Sequence, residues 1–343
     1  MPISKIQTNS VTTDVLGPGK NLIINGAMQV AQRGTSVTGI TSAVYHTVDR
    51  NKLQVNTAGT WTAAQSSTAP SGFTKSIKYD CTVADASLAS GDYVFNSYSF
   101  EGQDLQHLNY GTSNAKKITV SFYVRSNKTG TYTFEAQTYD GSTYYRNGKT
   151  YTINSADTWE YKTITIDGNT SNSIVNANTE GMTLFWWLAA GTDFTSGTFN
   201  NGTWTTNNTE RVANTVNLAD STSNEWLITG VQLEVGDTAT DFEHRSYGEE
   251  LALCQRYYWK GDMRKGSEYM THGANISLSS NAYFPVTMRA TPTATAIINV
   301  ASSNTDNKSI NFLDKDGCAY QVNMNVASGT ISRRDTYSFD AEL

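Results

Sequence analysis

The sequence is poor in charge and lacks the features that mark membrane proteins or nucleic-acid binders. Charged residues make up 16% of the 343 residues and the net charge is −6, whereas a soluble domain ordinarily carries roughly 25% charged residues. Neutralising nucleic-acid phosphates requires clustered Lys and Arg, so we expect no nucleic-acid partner. No apolar run approaches the roughly 18 residues of a membrane helix, and the N-terminus lacks the apolar core of a signal peptide. We therefore expect no membrane insertion.

Cysteine and histidine are scarce, and the usual catalytic motifs are missing. The cysteines form no CxxC pair and leave one over in any disulfide scheme, so we interpret Cys81, Cys254 and Cys318 as reduced thiols without a redox or metal role. No HExxH, GxSxG, P-loop or GxGxxG turn is present. We expect a protein that is not an enzyme and has no cofactor and no metal site. A calcium site built from Asp and backbone carbonyl groups stays open, although no DxDxDG loop is present.

Acidic residues could form a glycosidase site, because glycoside hydrolysis requires only two carboxyl groups. The densest cluster comprises Glu234, Asp237, Asp241 and Glu243, at the end of a predicted strand. We interpret this cluster as an exposed, solvated rim rather than as a catalytic pair.

The abundant residues favour an all-β fold. Thr, Ser, Asn and Gly supply the polarity, and aromatic residues reach 11%. Thr and aromatic residues suit half-buried strands, while Asn, Gly and Ser suit turns. Alternating polar and apolar residues predict long strands at 116–126, 129–140, 158–168 and 225–236, and the nearly continuous apolar run at 181–191 predicts a central strand. Shorter strands are predicted at 22–24, 49–55, 76–81 and 93–100. Strands at this spacing are typical of a jelly-roll β-sandwich.

Three finer features of the strands are also predicted. The polar pair Asn127-Lys128 is expected to join its flanking strands as a hairpin, as is the turn at 314–317. In the segment 158–168, we group Tyr161 with the apolar residues of the alternation. The tryptophans that we expect in the core are Trp159, Trp186, Trp187 and Trp226.

The chain divides into four predicted segments. They are an N-terminal attachment arm at 1–20, a jelly-roll β-sandwich at 21–245, a connecting helix at 246–260 and a smaller C-terminal β domain at 261–343. The arm is polar, lacks periodicity and ends in the breaker Gly17-Pro18-Gly19. The helix begins at Ser246, and Glu249 follows at the spacing of a capping box.

Aromatic side chains with polar neighbours are the main indication of a ligand. A sugar ring has apolar C–H faces, so a carbohydrate site combines a flat Tyr or Trp with Asn, Asp or Gln. The candidate carbohydrate-binding residues are Tyr139, Asp140, Tyr144, Tyr145, Asn147 and Trp204. The alternative is a structural role, because Tyr is a favoured strand residue and Trp204 would clasp its long loop onto the sandwich.

Two segments resemble a group of bacteriophage tail-fibre and virion-surface proteins. The opening of these proteins is similar to NLIINGAMQVAQRGTS at 21–36 followed by VDR at 48–50. Their closing strand and helix are similar to WLITGVQLEVGDTATDFEHRSYGEELALCQRYY at 226–258. The small β domain that often follows is similar to FPVTMRATPT at 284–293. The chain departs from the pattern at Asn51, where the family usually has Trp after the DR pair.

The resemblance implies a carbohydrate-binding-module-like jelly roll in an appendage on the surface of the phage particle, made in the host cytoplasm. A homotrimer would make three weak sites avid, and residues 1–20 would attach it to another virion protein of the tail or capsid. We expect a non-enzymatic tail fibre or receptor-binding protein that contacts host surface glycans. The alternative is a capsid decoration or head-fibre protein of the same fold. A polysaccharide depolymerase is less favoured, because such enzymes usually carry a repeated β-helix and the sequence shows no repeat.

Overall fold

The computed structural model describes residues 19–213, 216–270, 277–326 and 329–343. The predicted attachment arm at 1–20 therefore lies outside the described residues, apart from its last two positions. The chain divides into two compact units, of which the first ends at Arg245 and the second comprises Ser246–Glu342. The candidate carbohydrate-binding residues all belong to the first unit.

The first unit is a sandwich of two six-stranded antiparallel sheets. In spatial order, the first sheet consists of β1 (Ser36–Ile40), β4 (Thr60–Ser66), β5 (Ser76–Val83), β12 (Glu225–Val235), β7 (Ile118–Ser126) and β10 (Glu160–Ile166). The second sheet consists of β2 (Val44–Tyr45), β3 (Lys52–Asn56), β6 (Tyr93–Glu101), β11 (Glu180–Ala190), β8 (Gly130–Tyr139) and β9 (Tyr144–Ile153). This arrangement confirms the predicted all-β, jelly-roll fold class.

The core lies between the two sheets and is built from the inward residues of each alternating strand. Phe122, Phe134, Trp186 and Trp226 are fully buried there. The Trp186 ring meets Phe122 edge-on at 5.8 Å and Phe134 at 5.3 Å between ring centroids. Burying each such side chain contributes about 1.5–3 kcal/mol. The inward residues of the alternating strands and the apolar run of β11 thus fill the core, and all five predicted long strands are confirmed.

Three local predictions are wrong. The pair Asn127-Lys128 does not close a hairpin, because β7 pairs with β10 and β12 while β8 pairs with β9 and β11, so the chain crosses here from one sheet to the other. Leu22–Ile24 forms no strand. Tyr161 points outward and is 47% exposed, because Ile164 and Ile166 set the inward phase of β10.

The two segments that resemble phage proteins meet in the structure. The side-chain oxygen of Asn21 accepts a hydrogen bond from the N–H of Leu233 at 3.0 Å. The Glu243 carboxylate accepts from the N–H groups of Gly19 and Asn21, both at 2.8 Å. The guanidinium of Arg245 donates to the backbone carbonyl of Asn21. These motif residues therefore join the beginning of the sandwich to its end, which is a structural role.

Two further polar positions in these segments are buried. Asn51 is 3% exposed and its amide lies 3.5 Å from the Met28 sulfur, so a Trp here would enter the interior rather than form a surface platform. Glu234 is 5% exposed and accepts from the N–H of Thr240 at 3.0 Å. The predicted solvated rim is therefore wrong for Glu234, which holds the following loop against β12, whereas Asp237 is exposed.

The second unit begins with a capped helix. Ser246 Oγ accepts from the N–H of Glu249 at 3.3 Å, and the Glu249 carboxylate accepts from the N–H of Ser246 at 2.9 Å, which confirms the predicted capping box. The helix itself spans Tyr247–Gln255. The predicted extent of 246–260 is too long, because Tyr258 already pairs as the first residue of a strand.

The rest of the second unit consists of two three-stranded antiparallel sheets. One contains β13 (Tyr258–Met270), β18 (Gly329–Asp340) and β15 (Thr293–Ser303), and the other contains β14 (Ser277–Tyr283), β17 (Gly317–Met324) and β16 (Thr305–Asn311). The predicted hairpin at 314–317 is confirmed: the N–H of Asp314 donates to the carbonyl of Gly317 at 3.0 Å, between β16 and β17.

Candidate functional site

The tip of the β8–β9 hairpin brings together several of the candidate carbohydrate-binding residues. Tyr139 stands opposite Tyr144 in the strand pairing, and the two rings lie 4.6 Å apart with their planes inclined by 30°. Asp140 closes the turn by accepting from the N–H groups of Thr143 and Ser142, both at 2.8 Å. These hydrogen bonds hold the pKa of Asp140 below its ordinary value. Tyr144 is 39% exposed, so the tip presents a flat ring to solvent.

The structure does not bring the other candidate residues to the same surface. Tyr145 follows Tyr144 in the strand and therefore points to the opposite face of the sheet, where it hydrogen-bonds with the side chain of Asp140. Asn147 is fully buried, and its amide donates to the carbonyl of Gly202 at 2.9 Å. The indole N–H of Trp204 donates to the carbonyl of Asp167 at 2.8 Å. Asn147 and Trp204 thus hold the long loop between β11 and β12 in place, which is the structural role considered as the alternative.

That loop runs along the outer edge of β9. Arg146 and Thr205 exchange backbone hydrogen bonds of 2.8 and 2.9 Å. The N–H of Gly202 donates to the carbonyl of Gly148 at 2.8 Å, and the N–H of Gly148 donates to the side chain of Asn200 at 2.7 Å. The loop therefore satisfies the backbone groups that an edge strand otherwise leaves unpaired.

A row of hydrogen-bonding side chains crosses the outer face of the second sheet from β6 to β9. Strand pairing aligns Ser99 with Thr183, Thr183 with Gln137, and Gln137 with Arg146. The hydroxyls of Ser99 and Thr183 are 2.8 Å apart, and Arg146 Nε donates to Gln137 Oε1 at 3.0 Å. The Arg146 guanidinium also lies 5.9 Å from the centre of the Tyr144 ring. The polar row thus ends at the aromatic pair of the hairpin tip.

One acidic side chain stands beside the polar row. Glu180 is half-buried, and burial raises the pKa of its carboxyl group above the ordinary value. Hydrogen bonds with Thr183 and Gln137 and the positive charge of Lys52 act in the opposite direction. A partly desolvated carboxyl group in this position is suited to hydrogen bonding with a hydroxyl-rich ligand.

An aromatic cluster lies on the same face, covered by the loop. Phe95, Phe185 and Trp187 pack against one another there. The Arg211 guanidinium stacks over Trp187 at 5.0 Å, and its Nε lies 3.0 Å from Glu135 Oε1. Trp187 is therefore buried, but outside the core between the sheets where the sequence analysis placed it.

The polar row is not apparent as a unit in the sequence. The alternation of β8 could have identified Gln137, which lies two residues before Tyr139 on the same face, and that of β9 could have identified the role of Arg146 beside Tyr144. Ser99 and Thr183 come from strands remote in sequence, so no local pattern aligns them with the hairpin.

Within the part of the chain that the structure describes, no group of three or more His, Cys, Asp or Glu side chains could hold a metal ion. In the same part, no helix is long and apolar enough to cross a membrane. The cysteines are buried free thiols, and burial raises the pKa of the Cys81 and Cys318 thiols. A raised pKa disfavours the thiolate, which is the reactive form.

No family model matches the sequence, and no curated protein matches it. The resemblance to phage tail-fibre and virion-surface proteins therefore stays a prediction.

Several solved structures are distantly similar to the chain. The enzymatically active domain of tailspike protein 4 from bacteriophage CBA120 has 9% identity and a TM-score of 0.33, over 64% of this chain and 22% of that one. The C-terminal family 22 carbohydrate-binding module of Clostridium thermocellum Xyn10B has 10% identity and a TM-score of 0.34, over 65% and 99%. The family 11 carbohydrate-binding module of the C. thermocellum cellulase Lic26A-Cel5E has 9% identity and a TM-score of 0.30, over 64% and 96%. Similarities at this level do not assign the chain to any of these families.

Proposed function

We propose that the protein is a non-enzymatic, carbohydrate-binding component of a bacteriophage virion surface. The observation that carries the glycan-binding part is the Tyr139–Tyr144 pair at the end of the polar row. The exposed Tyr144 ring offers an apolar face on which the C–H face of a sugar can stack. The half-buried Arg146 supplies N–H donors for the hydroxyl groups of the same sugar. Gln137 is 8% exposed and positions Arg146 by accepting from its Nε.

The virion part of the proposal rests on the sequence motifs. We propose a homotrimeric tail fibre or receptor-binding protein on the surface of the phage particle, made in the host cytoplasm and attached to another virion protein through residues 1–20. A site formed by one hairpin tip is small, so a single copy would bind weakly. Three copies around a threefold axis would bind a glycan-coated host surface with avidity.

A capsid decoration or head-fibre role is the second candidate. This role is kept because Asn21, Glu243 and Arg245, which lie in the resembling segments, have a structural function: they join the two ends of the sandwich. A family member without any ligand would need the same residues, so the motifs are equally compatible with a protein that only coats the particle.

Glycan binding is tested on a printed array of bacterial surface polysaccharides, with the full chain and its Tyr139→Ala/Tyr144→Ala variant. We expect the double variant to bind at least about tenfold more weakly, as for central aromatic contacts in other interfaces. Tyr247→Ala is the matched control, because Tyr247 is 55% exposed and belongs to the second unit. The glycan proposal is abandoned if the wild type binds no polysaccharide or if the double variant binds as well as the control.

The virion role is tested by the native mass of the purified chain and by antibody labelling of phage particles. A stable trimer with antibody label at the tail supports the tail-fibre hypothesis, and a stable trimer with label on the head supports the capsid-decoration hypothesis. A clean monomer at micromolar concentration contradicts both appendage models. Deleting residues 1–20 should abolish incorporation into particles while the folded trimer persists, and unchanged incorporation contradicts the proposed arm.

A further inference from the structure

The first sheet carries a cavity on its own outer face, away from the hairpin tip. The cavity has a volume of about 490 Å³, within the roughly 300–1,000 Å³ of typical small-molecule sites. Its floor includes Ser121 and Tyr123 of β7, Tyr161 of β10 and Gly230 of β12. Its walls are the loops at 71–73 and 239–244.

Aromatic rings form a continuous surface through this cavity. Tyr161 lies 5.0 Å from Tyr123, and Tyr123 lies 5.5 Å from Phe73, measured between ring centroids. Phe73 in turn contacts Phe242 at 5.0 Å and His244 at 5.4 Å. Tyr161 is 47% exposed at one end of the series, so an incoming ring can stack on it without displacing the core.

The wall at 239–244 is held from inside the protein. The amide of Gln232 is fully buried, donates to the carbonyl of Asp241 at 3.2 Å and accepts from the N–H of Glu243 at 2.7 Å. The buried Glu234 carboxylate accepts from the N–H of Thr240 at 3.0 Å. A wall fixed in this way does not need to be ordered when a ligand binds, which lowers the entropic cost of binding.

The floor of the cavity contains a β-bulge in β12. The pairing of β12 shifts register between Thr229 and Gln232, and Gly230 in this bulge has φ of +61°. A Cβ at this position would lie 2.7 Å from the Phe73 ring. Glycine therefore lets Phe73 lie close against the strand, where it joins the two halves of the aromatic surface.

We infer that this cavity is a binding site for a neutral saccharide. The rings supply apolar faces, and the hydroxyl of Ser121 and the imidazole of His244 supply hydrogen-bonding groups around them. The lining contains the carboxylate of Asp241 and, among the described residues, no Lys or Arg. Lys20 lies outside the lining and its ammonium group is taken by Thr240 Oγ1 at 2.6 Å and the carbonyl of Asp241 at 2.7 Å, so the like charge of Asp241 disfavours an acidic sugar or a phosphate. The inference stands on the first sheet alone and does not depend on the site at the hairpin tip.

The experiment uses the imidazole of His244 as a reporter inside the cavity. The imidazole NMR signals of the full chain are followed during titration with neutral hexasaccharides of glucose, galactose, mannose and N-acetylglucosamine, and with the acidic hexamer of galacturonic acid. We expect at least one neutral sugar to shift the His244 signal while those of His46 and His107, which lie outside the cavity lining, stay in place. The galacturonic acid hexamer should not shift it.

Variants then assign the response to the aromatic surface. Tyr161→Ala should weaken the titration at least about tenfold, while Tyr161→Phe, which keeps the ring, should retain it. Tyr139→Ala/Tyr144→Ala should leave it unchanged, so the failure of the hairpin-tip site and the failure of this site are distinguishable. The inference is overturned if no neutral sugar moves His244, if only the acidic hexamer does, or if the response survives Tyr161→Ala. Thermal unfolding of each variant confirms that it is folded.

Discussion

Replacing Arg211 by Met should destabilise the first unit strongly, because it leaves a buried carboxylate without its main partner. Glu135 is fully buried, and Arg211 Nε lies 3.0 Å from its Oε1. After the substitution, the carboxylate keeps the indole N–H of Trp187 at 2.8 Å and the more distant Arg146 at 3.9 Å. Breaking a buried ion pair typically costs about 3–5 kcal/mol. Because these two partners remain, we expect the lower end, about 3 kcal/mol.

The assay is differential scanning calorimetry of the full chain, following the transition of the first unit. For a unit of this size, about 3 kcal/mol corresponds to a fall in Tm of roughly 6–12 °C. Lys117→Met is the matched control, since it removes an ion pair whose side chains are 52% and 68% exposed, and it should move Tm little. The double variant Glu135→Gln/Arg211→Met keeps a neutral acceptor for Trp187 and should recover much of the loss. A fall of less than about 1 kcal/mol for Arg211→Met, or a double variant no better than the single one, refutes the reasoning.

Two further predictions concern a buried imidazole and the long loop. Burial, reinforced by the positive charge of Arg33, lowers the pKa of His46 to about 4, whereas a His in an unfolded chain has a pKa of about 6.5. The stability that the neutral imidazole contributes should therefore be complete above about pH 6.5 and be lost as the pH falls towards 4. An imidazole NMR titration and unfolding at several pH values check this, and a His46→Gln variant with the same pH profile contradicts it. Trp204→Ala should destabilise the first unit by about 2 kcal/mol in urea unfolding, because the half-buried indole holds the loop through the carbonyl of Asp167. The variant should still bind glycans at the hairpin tip. If it is as stable as the wild type but fails to bind, Trp204 is a ligand-binding residue and the prediction is wrong.

The sequence alone predicts the strands well because a buried face imposes a period of two that is visible locally. The alternation in β7 and β8 indicates which residues enter the core, and the apolar run of β11 indicates a central strand buried on both faces. The alternation does not say which strand lies next to which. Asn127-Lys128 has the composition of a hairpin turn, yet it crosses between sheets, because the partners of the flanking strands come from remote segments of the chain.

Only the part of the candidate site that lies within one hairpin is predictable from the sequence. The turn at Asp140 and the Tyr139–Tyr144 pair lie within one hairpin, so composition and spacing were sufficient to find them. The polar row needs strands from separate parts of the sequence, and its members carry no motif. The cavity of the first sheet is not visible in the sequence for a further reason. The alternation groups Tyr161 with the apolar residues, and the bulge at Gly230 that admits Phe73 is visible only in the pairing register.

The hydrogen bonds from Gly19 and Asn21 to Glu243 place the entry and the exit of the sandwich side by side. A domain whose ends adjoin can interrupt a surface turn of another polypeptide without stretching it, and its own chain can be reopened elsewhere. The sandwich is therefore suited to insertion within another polypeptide and to circular permutation. A circular permutant that links Arg245 to Gly19 and opens in the exposed turn after Asp140 should keep the fold.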